Sequence, residues 1–209
     1  MFKSIIFDFD GTLADSREVA LEVYRRLSCK YNLPELTPDK LEKLKNLPIM
    51  DRFKEMRYPV YRLPEVFREI KKAYREHLPS LHPYPGIREA LMTLRERGYD
   101  LYILSSNSRE NILYFLDNFD MDFFVGIKSS PGLFGKQRTL GQLTREFRIS
   151  KKEALYVGDE LRDIEACRGA GVAVMAVTWG YDSPALLARG NPDLTANSPE
   201  EILDLLPAP

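Results

Sequence analysis

The sequence predicts an α/β protein built on a parallel sheet with helices on both faces, and three observations lead there. Short apolar runs such as Ile5-Ile6-Phe7 and Leu101-Tyr102-Ile103-Leu104 lack polar alternation, which marks strands buried on both faces. Stretches of helical period separate these runs, and alternating strand with helix is the pattern of a parallel sheet. From about residue 32 to residue 79 the alternation stops. Only helical stretches appear there, cut by Pro34, Pro38, Pro48, Pro59 and Pro64.

Taken in order, the first strand stops in Asp8-Phe9-Asp10-Gly11-Thr12-Leu13. Ser16 is placed to cap a helix in which Val19, Val23, Leu27 and Tyr31 recur every four positions. A second helix begins at Pro64, with Val66, Phe67, Ile70, Ala73, Tyr74 and Leu78 on one stripe. Residues 15–80 are therefore expected to form a small helical insert, and residues 1–14 and 81–209 the α/β core. In the core, a helix over residues 87–97, ended by Gly98, leads into the strand at 101–104. Ser108 caps the next helix, with Ile112, Phe115, Leu116 and Phe119 turned inward. Residues 123–127, 154–157 and 172–177 supply three more strands, and Ser183-Pro184 and Ser198-Pro199 open the last two helices.

At 209 residues the chain fits one domain carrying a small insert. A formal net charge of -1 provides no general attraction to nucleic acid or to an anionic membrane, so a small-molecule partner is expected. No apolar stretch approaches the roughly 20 residues that span a bilayer. The amino terminus enters a strand at once, without the charged and apolar regions of a signal peptide. Cys29 and Cys167 have no metal-type spacing and read as buried, reduced thiols, which points to a cytoplasmic location. A monomer or a homodimer fits these features equally.

Chemistry is expected at the carboxyl edge of the sheet, where open α/β sheets bind their ligands. Two acids one residue apart repel, and Asp8 and Asp10 can be reconciled by a metal ion, a shared proton or unequal environments. Three later segments return to that edge in this topology. Ser105-Ser106-Asn107 ends the second core strand with hydroxyls and backbone N–H groups. Gly158-Asp159-Glu160-Leu161-Arg162-Asp163 follows a buried strand, and the spacing places Asp159 and Asp163 on one face of a helix start. Leu133-Phe134-Gly135-Lys136 reads as a loop presenting a lysine.

In their order, Asp8-Phe9-Asp10-Gly11-Thr12, Ser106-Asn107, Lys136, and Gly158-Asp159 with Asp163 resemble the four motifs of the haloacid dehalogenase-like (HAD) phosphatases. The resemblance covers essentially the whole chain and implies a Rossmann-like core. The helical insert is similar to the small cap of the phosphoglycolate phosphatase-like branch, as are Tyr84-Pro85-Gly86-Ile87 and Thr178-Trp179-Gly180-Tyr181. One departure is Gln137, where many relatives have a proline after the lysine.

The resemblance implies that Asp8 attacks phosphorus and that Asp10 is the acid and base, an effect typically worth about 10²–10⁴-fold. It implies Mg²⁺ on Asp8, the Asp10 main-chain carbonyl and Asp159, with Asp163 a ligand or a neighbour of the ligands. Gly11, Thr12, Ser106, Asn107 and Lys136 would hold the phosphoryl oxygens. The implied partner is a small phosphorylated metabolite, such as phosphoglycolate or a sugar phosphate. A mutase of the same fold and a catalytically silent phosphate-binding or partner-binding protein are the alternatives.

Over residues 39–76 there are eleven Lys or Arg against seven Asp or Glu, a surplus of four positive charges that suits a lid drawing in an anion. His77 and His82 flank the return to the core and read as packing residues.

Overall fold

A computed structural model describes residues 1–130, 132 and 135–208, without the side chains of residues 60, 67, 71 and 75. Leu133 and Phe134, just before Gly135, lie outside the described residues, as does the Phe67 side chain of the predicted stripe.

Six strands form one parallel sheet: β1 (Ser4–Phe7), β2 (Asp100–Ser105), β3 (Phe124–Ser129), β4 (Ala154–Gly158), β5 (Ala173–Val177) and β6 (Leu194–Ala196). Their order is β3-β2-β1-β4-β5-β6, the Rossmann-like arrangement that the sequence implied. Ten α-helices among the described residues complete the fold. The first four are α1 (Arg17–Tyr31), α2 (Pro38–Lys45), α3 (Ile49–Glu55) and α4 (Leu63–His77), all between β1 and β2. Then come α5 (Ile87–Glu96), α6 (Arg109–Asn118), α7 (Lys136–Glu146), α8 (Leu161–Ala170), α9 (Pro184–Arg189) and α10 (Pro199–Leu205).

The apolar runs are buried on both faces because strand side chains alternate. Ile5, Phe7, Leu101, Ile103, Leu155 and Val157 join one core cluster with residues of α5, α6 and α10. Ile6, Tyr102, Leu104, Tyr156, Val174 and Ala176 join a second cluster with α7, α8 and α9. The helices α1, α3 and α4 add Val19, Val23, Leu27, Phe53, Val66 and Ala73 to the first cluster, so the insert packs as an extension of that core.

Most helix starts follow the sequence. Ser108, Ser183 and Ser198 each accept a backbone N–H with the side-chain oxygen, as N-caps do. Four expectations are corrected. Ser16 stands at the N-cap of α1 but makes no side-chain cap bond, because its buried hydroxyl pairs with Tyr181 Oη at 2.7 Å. Lys136 is the first residue of α7 rather than a loop residue. Asp159 precedes α8, whose N-cap is Glu160, so it shares no helical face with Asp163; a turn joins them instead. Cys167 is buried as expected, but Cys29 lies on the outer face of α1 and is exposed.

β6 was not anticipated, since three residues with one threonine carry too little apolar signal. No described helix is long and apolar enough to cross a membrane.

Candidate active site

The carboxyl ends of β1 and β4 lie side by side, with Phe7 in register with Val157. Asp8 extends that pairing by donating its N–H to Val157 O at 2.8 Å, which fixes the first acid against the strand that leads to Asp159. Its Oδ1 accepts the Phe9 N–H at 2.8 Å. Phe9 is buried against Phe115, ring centroids 5.0 Å apart, and anchors the turn between the two acids. Beyond Asp10 the chain curls back, with the N–H groups of Leu13 and Ala14 donating to Phe9 O.

Lys136 reaches the site from the start of α7. Its Nζ lies 2.5 Å from both Asp8 Oδ2 and Asp163 Oδ1, with all three side chains buried. Burial opposes the charge on Lys136, yet Asp163 and Asp8 overcome it and raise the lysine pKa above its ordinary value. Gln137 follows on the same helix and lies over Gly169 of α8, where an added Cβ would meet its amide carbon at 2.6 Å.

The second segment divides its labour. Ser105 is buried and accepts the Asn107 N–H at 3.1 Å, while Ser106 is exposed. Asn107 is buried and donates its Nδ2 to Asp10 Oδ2 at 3.2 Å, joining the second segment to the first. The other oxygen, Asp10 Oδ1, is buried with no hydrogen-bond partner. Burial, reinforced by Asp8, pushes the Asp10 pKa up to about 7, against the pull of Ser16 and Asn107.

Asp159 is fully buried and engaged on both oxygens. Thr12 Oγ1 donates to Oδ1 at 2.8 Å and the Tyr181 N–H to Oδ2 at 2.7 Å. Two glycines permit this fit. A Cβ on Gly11, whose φ is +79°, would stand 2.3 Å from Asp159 Oδ2, and one on Gly180 would stand 2.1 Å from it. Burial, together with Glu160, Asp8 and Asp163, holds the Asp159 pKa well above the carboxylate range. Burial likewise pushes Asp163 up to about 7, with Lys136 opposing.

Asp8, Glu160 and Asp163 are all buried and bring one carboxylate oxygen each within 4.8 Å of one another. Glu160 was absent from the expected set, although it stands beside Asp159 in the same acid-rich segment. Burial raises its pKa, but Arg162 and Lys136 outweigh that and keep the carboxylate ionised.

The loop after β5, marked in the sequence only by its likeness to one branch of a family, closes on the first motif. Trp179 Nε1 donates to Thr12 O at 3.1 Å, and the Trp179 ring lies 6.3 Å from that of Tyr84. The two segments that resembled one branch of a family thus meet behind the first motif.

Residues 5–177 match the haloacid dehalogenase-like hydrolase family. Among curated relatives, a phosphoglycolate phosphatase from Synechococcus elongatus is 30% identical over 202 residues, covering 96% of this chain and 95% of its own. A pyrophosphatase from Halalkalibacterium halodurans is 25% identical over 212 residues, covering 97% and 96%. Among solved structures, a haloacid dehalogenase-like family hydrolase from Streptococcus pneumoniae aligns with a TM-score of 0.82 at 24% identity, covering 98% of both chains, a likeness of fold. The chain belongs to the haloacid dehalogenase-like hydrolases, on their phosphoglycolate phosphatase-like branch. It is a phosphatase-type hydrolase.

Proposed function

We propose that the chain is a Mg²⁺-dependent phosphatase acting on a small phosphomonoester through an aspartyl-phosphate on Asp8. The observation that carries this reading is the pairing of unlike acids one residue apart. Asp8 is held by Lys136, whereas Asp10 has a pKa near 7 and one buried, unpartnered oxygen. One is equipped to attack and the other to carry a proton.

The donor set fits Mg²⁺. Asp8, Glu160 and Asp163 converge, and hard oxygens with surplus negative charge suit that ion. These residues would hold it, with the Asp10 carbonyl and Asp159 beside them. Bound there, Mg²⁺ would neutralise charge so that an anionic nucleophile can approach an anionic ester.

In the first step an Asp8 oxygen bonds to phosphorus, the ester P–O bond breaks, and Asp10 gives its proton to the leaving alcohol. In the second, ionised Asp10 takes a proton from water, whose oxygen attacks phosphorus and releases phosphate from Asp8. Asn107 orients Asp10 through its 3.2 Å bond, and Thr12 and Tyr181 keep Asp159 aimed. Gly11, Thr12, Ser106, Asn107 and Lys136 are the proposed contacts to the phosphoryl group. The helical insert, residues 15–80, acts as a cap whose positive surplus draws the anion inward.

Asp8→Asn tests the reading. It is expected to lower kcat/KM for phosphate release by roughly 10⁴-fold or more while the circular dichroism is retained. Full turnover by that variant refutes the mechanism. The relatives bear two names, so the screen includes inorganic pyrophosphate beside phosphoglycolate and sugar phosphates. Release of inorganic phosphate, rather than an isomerised sugar phosphate, separates a phosphatase from a mutase.

A further inference from the structure

The loop after β5 touches the acidic segment and the helical insert alternately, residue by residue. Tyr181 N–H donates to Asp159 Oδ2 at 2.7 Å. Asp182 Oδ2 accepts the Leu161 N–H at 2.7 Å, at the start of α8, while its Oδ1 pairs with Arg52 of α3. The Asp182 N–H also points to Asp159 O, at 3.4 Å. Ser183 donates its N–H to Lys45 O at 3.0 Å and its hydroxyl to Asn46 Oδ1 at 2.6 Å, both in the insert.

Asp182 is buried and Arg52 is largely shielded, with side-chain exposures of 5% and 12%. Arg52 is held from behind by Leu47 O, which its Nε meets at 2.9 Å. This is no surface pair. One carboxylate binds the insert with one oxygen and the backbone of the acidic loop with the other, so neither side can shift while the other stays bonded.

We propose that Asp182 is a positioning residue that links seating of the helical insert to the aim of the acidic segment 158–163, making insert closure and divalent-cation loading coupled equilibria. The proposal rests on the phosphatase reading of that segment. The two-state element is the insert: seated, Arg52 holds Asp182 against Leu161 and the acids are fixed; unseated, Asp182 and the α8 start lose that tie. Coupling of this kind is reciprocal, so a cation bound at the acids must tighten the insert as much as the seated insert tightens the cation.

Hydrogen exchange of the full chain, with and without saturating Mg²⁺ alone, tests this at the amides of α3, a helix that supplies none of the proposed cation ligands. In the unaltered protein Mg²⁺ is expected to slow their exchange about fivefold or more, the lower end of typical coupling. In Asp182→Asn and in Arg52→Gln, made from opposite sides of the contact, the slowing should vanish. Mg²⁺ affinity by calorimetry should weaken by the same factor. A merely electrostatic role for Arg52 predicts the opposite sign, since removing a cation strengthens binding of another.

If Mg²⁺ binds but leaves α3 exchange unchanged in the unaltered protein, or if the slowing survives in both variants, the coupling is overturned and the phosphatase reading stands. If the unaltered protein binds no Mg²⁺, the phosphatase reading falls and the coupling with it. Should Asp182→Asn misfold, Arg52→Gln decides.

Discussion

Two sets of carboxylates in this molecule respond to their surroundings in opposite directions. At the carboxyl edge of the sheet, burial raises Asp10 and Asp163 to about 7 and Asp182 to about 6, and lifts Asp159 well above its ordinary range. In the helical insert, Glu55, Glu65 and Glu76 are lowered, first by hydrogen bonds from Lys43, Lys30 and Arg26. Each of those bonds ties two helices of the insert together. The insert uses charge as a set of solvated clasps, while the sheet edge confines charge that it leaves partly uncompensated. Confined charge of that kind clusters at functional sites, and it is the pattern that the proposed cation and anionic ester would answer.

The sharpest way to break the comparison is Lys136→Met, which keeps much of the buried stem and deletes the charge shared by Asp8 and Asp163. Removing one partner of a buried pair typically costs about 3–5 kcal/mol, because the remaining charge is stranded. With divalent ions chelated, urea unfolding at pH 8 should show a loss of that order. Much of it should return at about pH 6, below the raised value of Asp163, where that carboxyl can take up a proton. An unchanged midpoint would mean that Lys136 is not what keeps those acids tolerable.

How much of this was legible in the sequence follows from the range of each interaction. The strands were legible because burial on both faces writes an unbroken apolar run, as in Ile5-Ile6-Phe7, and the Ser-Pro starts of α9 and α10 because capping is local. Lys136 was legible as chemistry but not as helix: the residues around it are polar, and α7 is revealed by Leu140 and Leu143 packing on α8. Ser16 looked like a cap because the rule is local, whereas its hydroxyl is taken by Tyr181, 165 residues away. Glu160 and Asp182 were passed over for a related reason. Asp182 finds Arg52 and Leu161 in other segments. Glu160, although Arg162 and Asp163 are its near neighbours in sequence, gains its place in the cluster from Asp8 just beyond β1, which no spacing within one segment reports.

Acidity tests the difference in sign. Asp10 and Asp163, raised from 3.8 to about 7, are ionised in both folded and unfolded states above pH 7, and there their burial weighs against folding. As pH falls from about 7 toward 3.8 the folded state binds more protons than the unfolded one, and stability rises. The lowered glutamates of the insert act oppositely: their contribution is present above 4.5, the unfolded value, and is lost as pH falls below it. With divalent ions chelated, the urea midpoint should therefore climb from about pH 8 to about pH 5.5 and decline below about 4.5. A midpoint that instead climbs from pH 6 to pH 8 contradicts the confined-charge account of the sheet edge.

The smallest effect belongs to Lys30→Ala, and it sharpens the comparison by its size. Lys30 Nζ pairs with Glu65 and sits 5.3 Å from the centroid of the Tyr31 ring, so on paper it has two partners, as Lys136 does. Yet its side chain is 55% exposed, and water and salt screen what it gains. Glu65 also keeps a second donor, since the Tyr31 hydroxyl bonds the other carboxylate oxygen. The urea midpoint of Lys30→Ala should match that of the unaltered protein within error at pH 7, in low and high salt alike. A shift rivalling that of Lys136→Met would show that partner count rather than burial governs these charges, and the division between the two regions would dissolve.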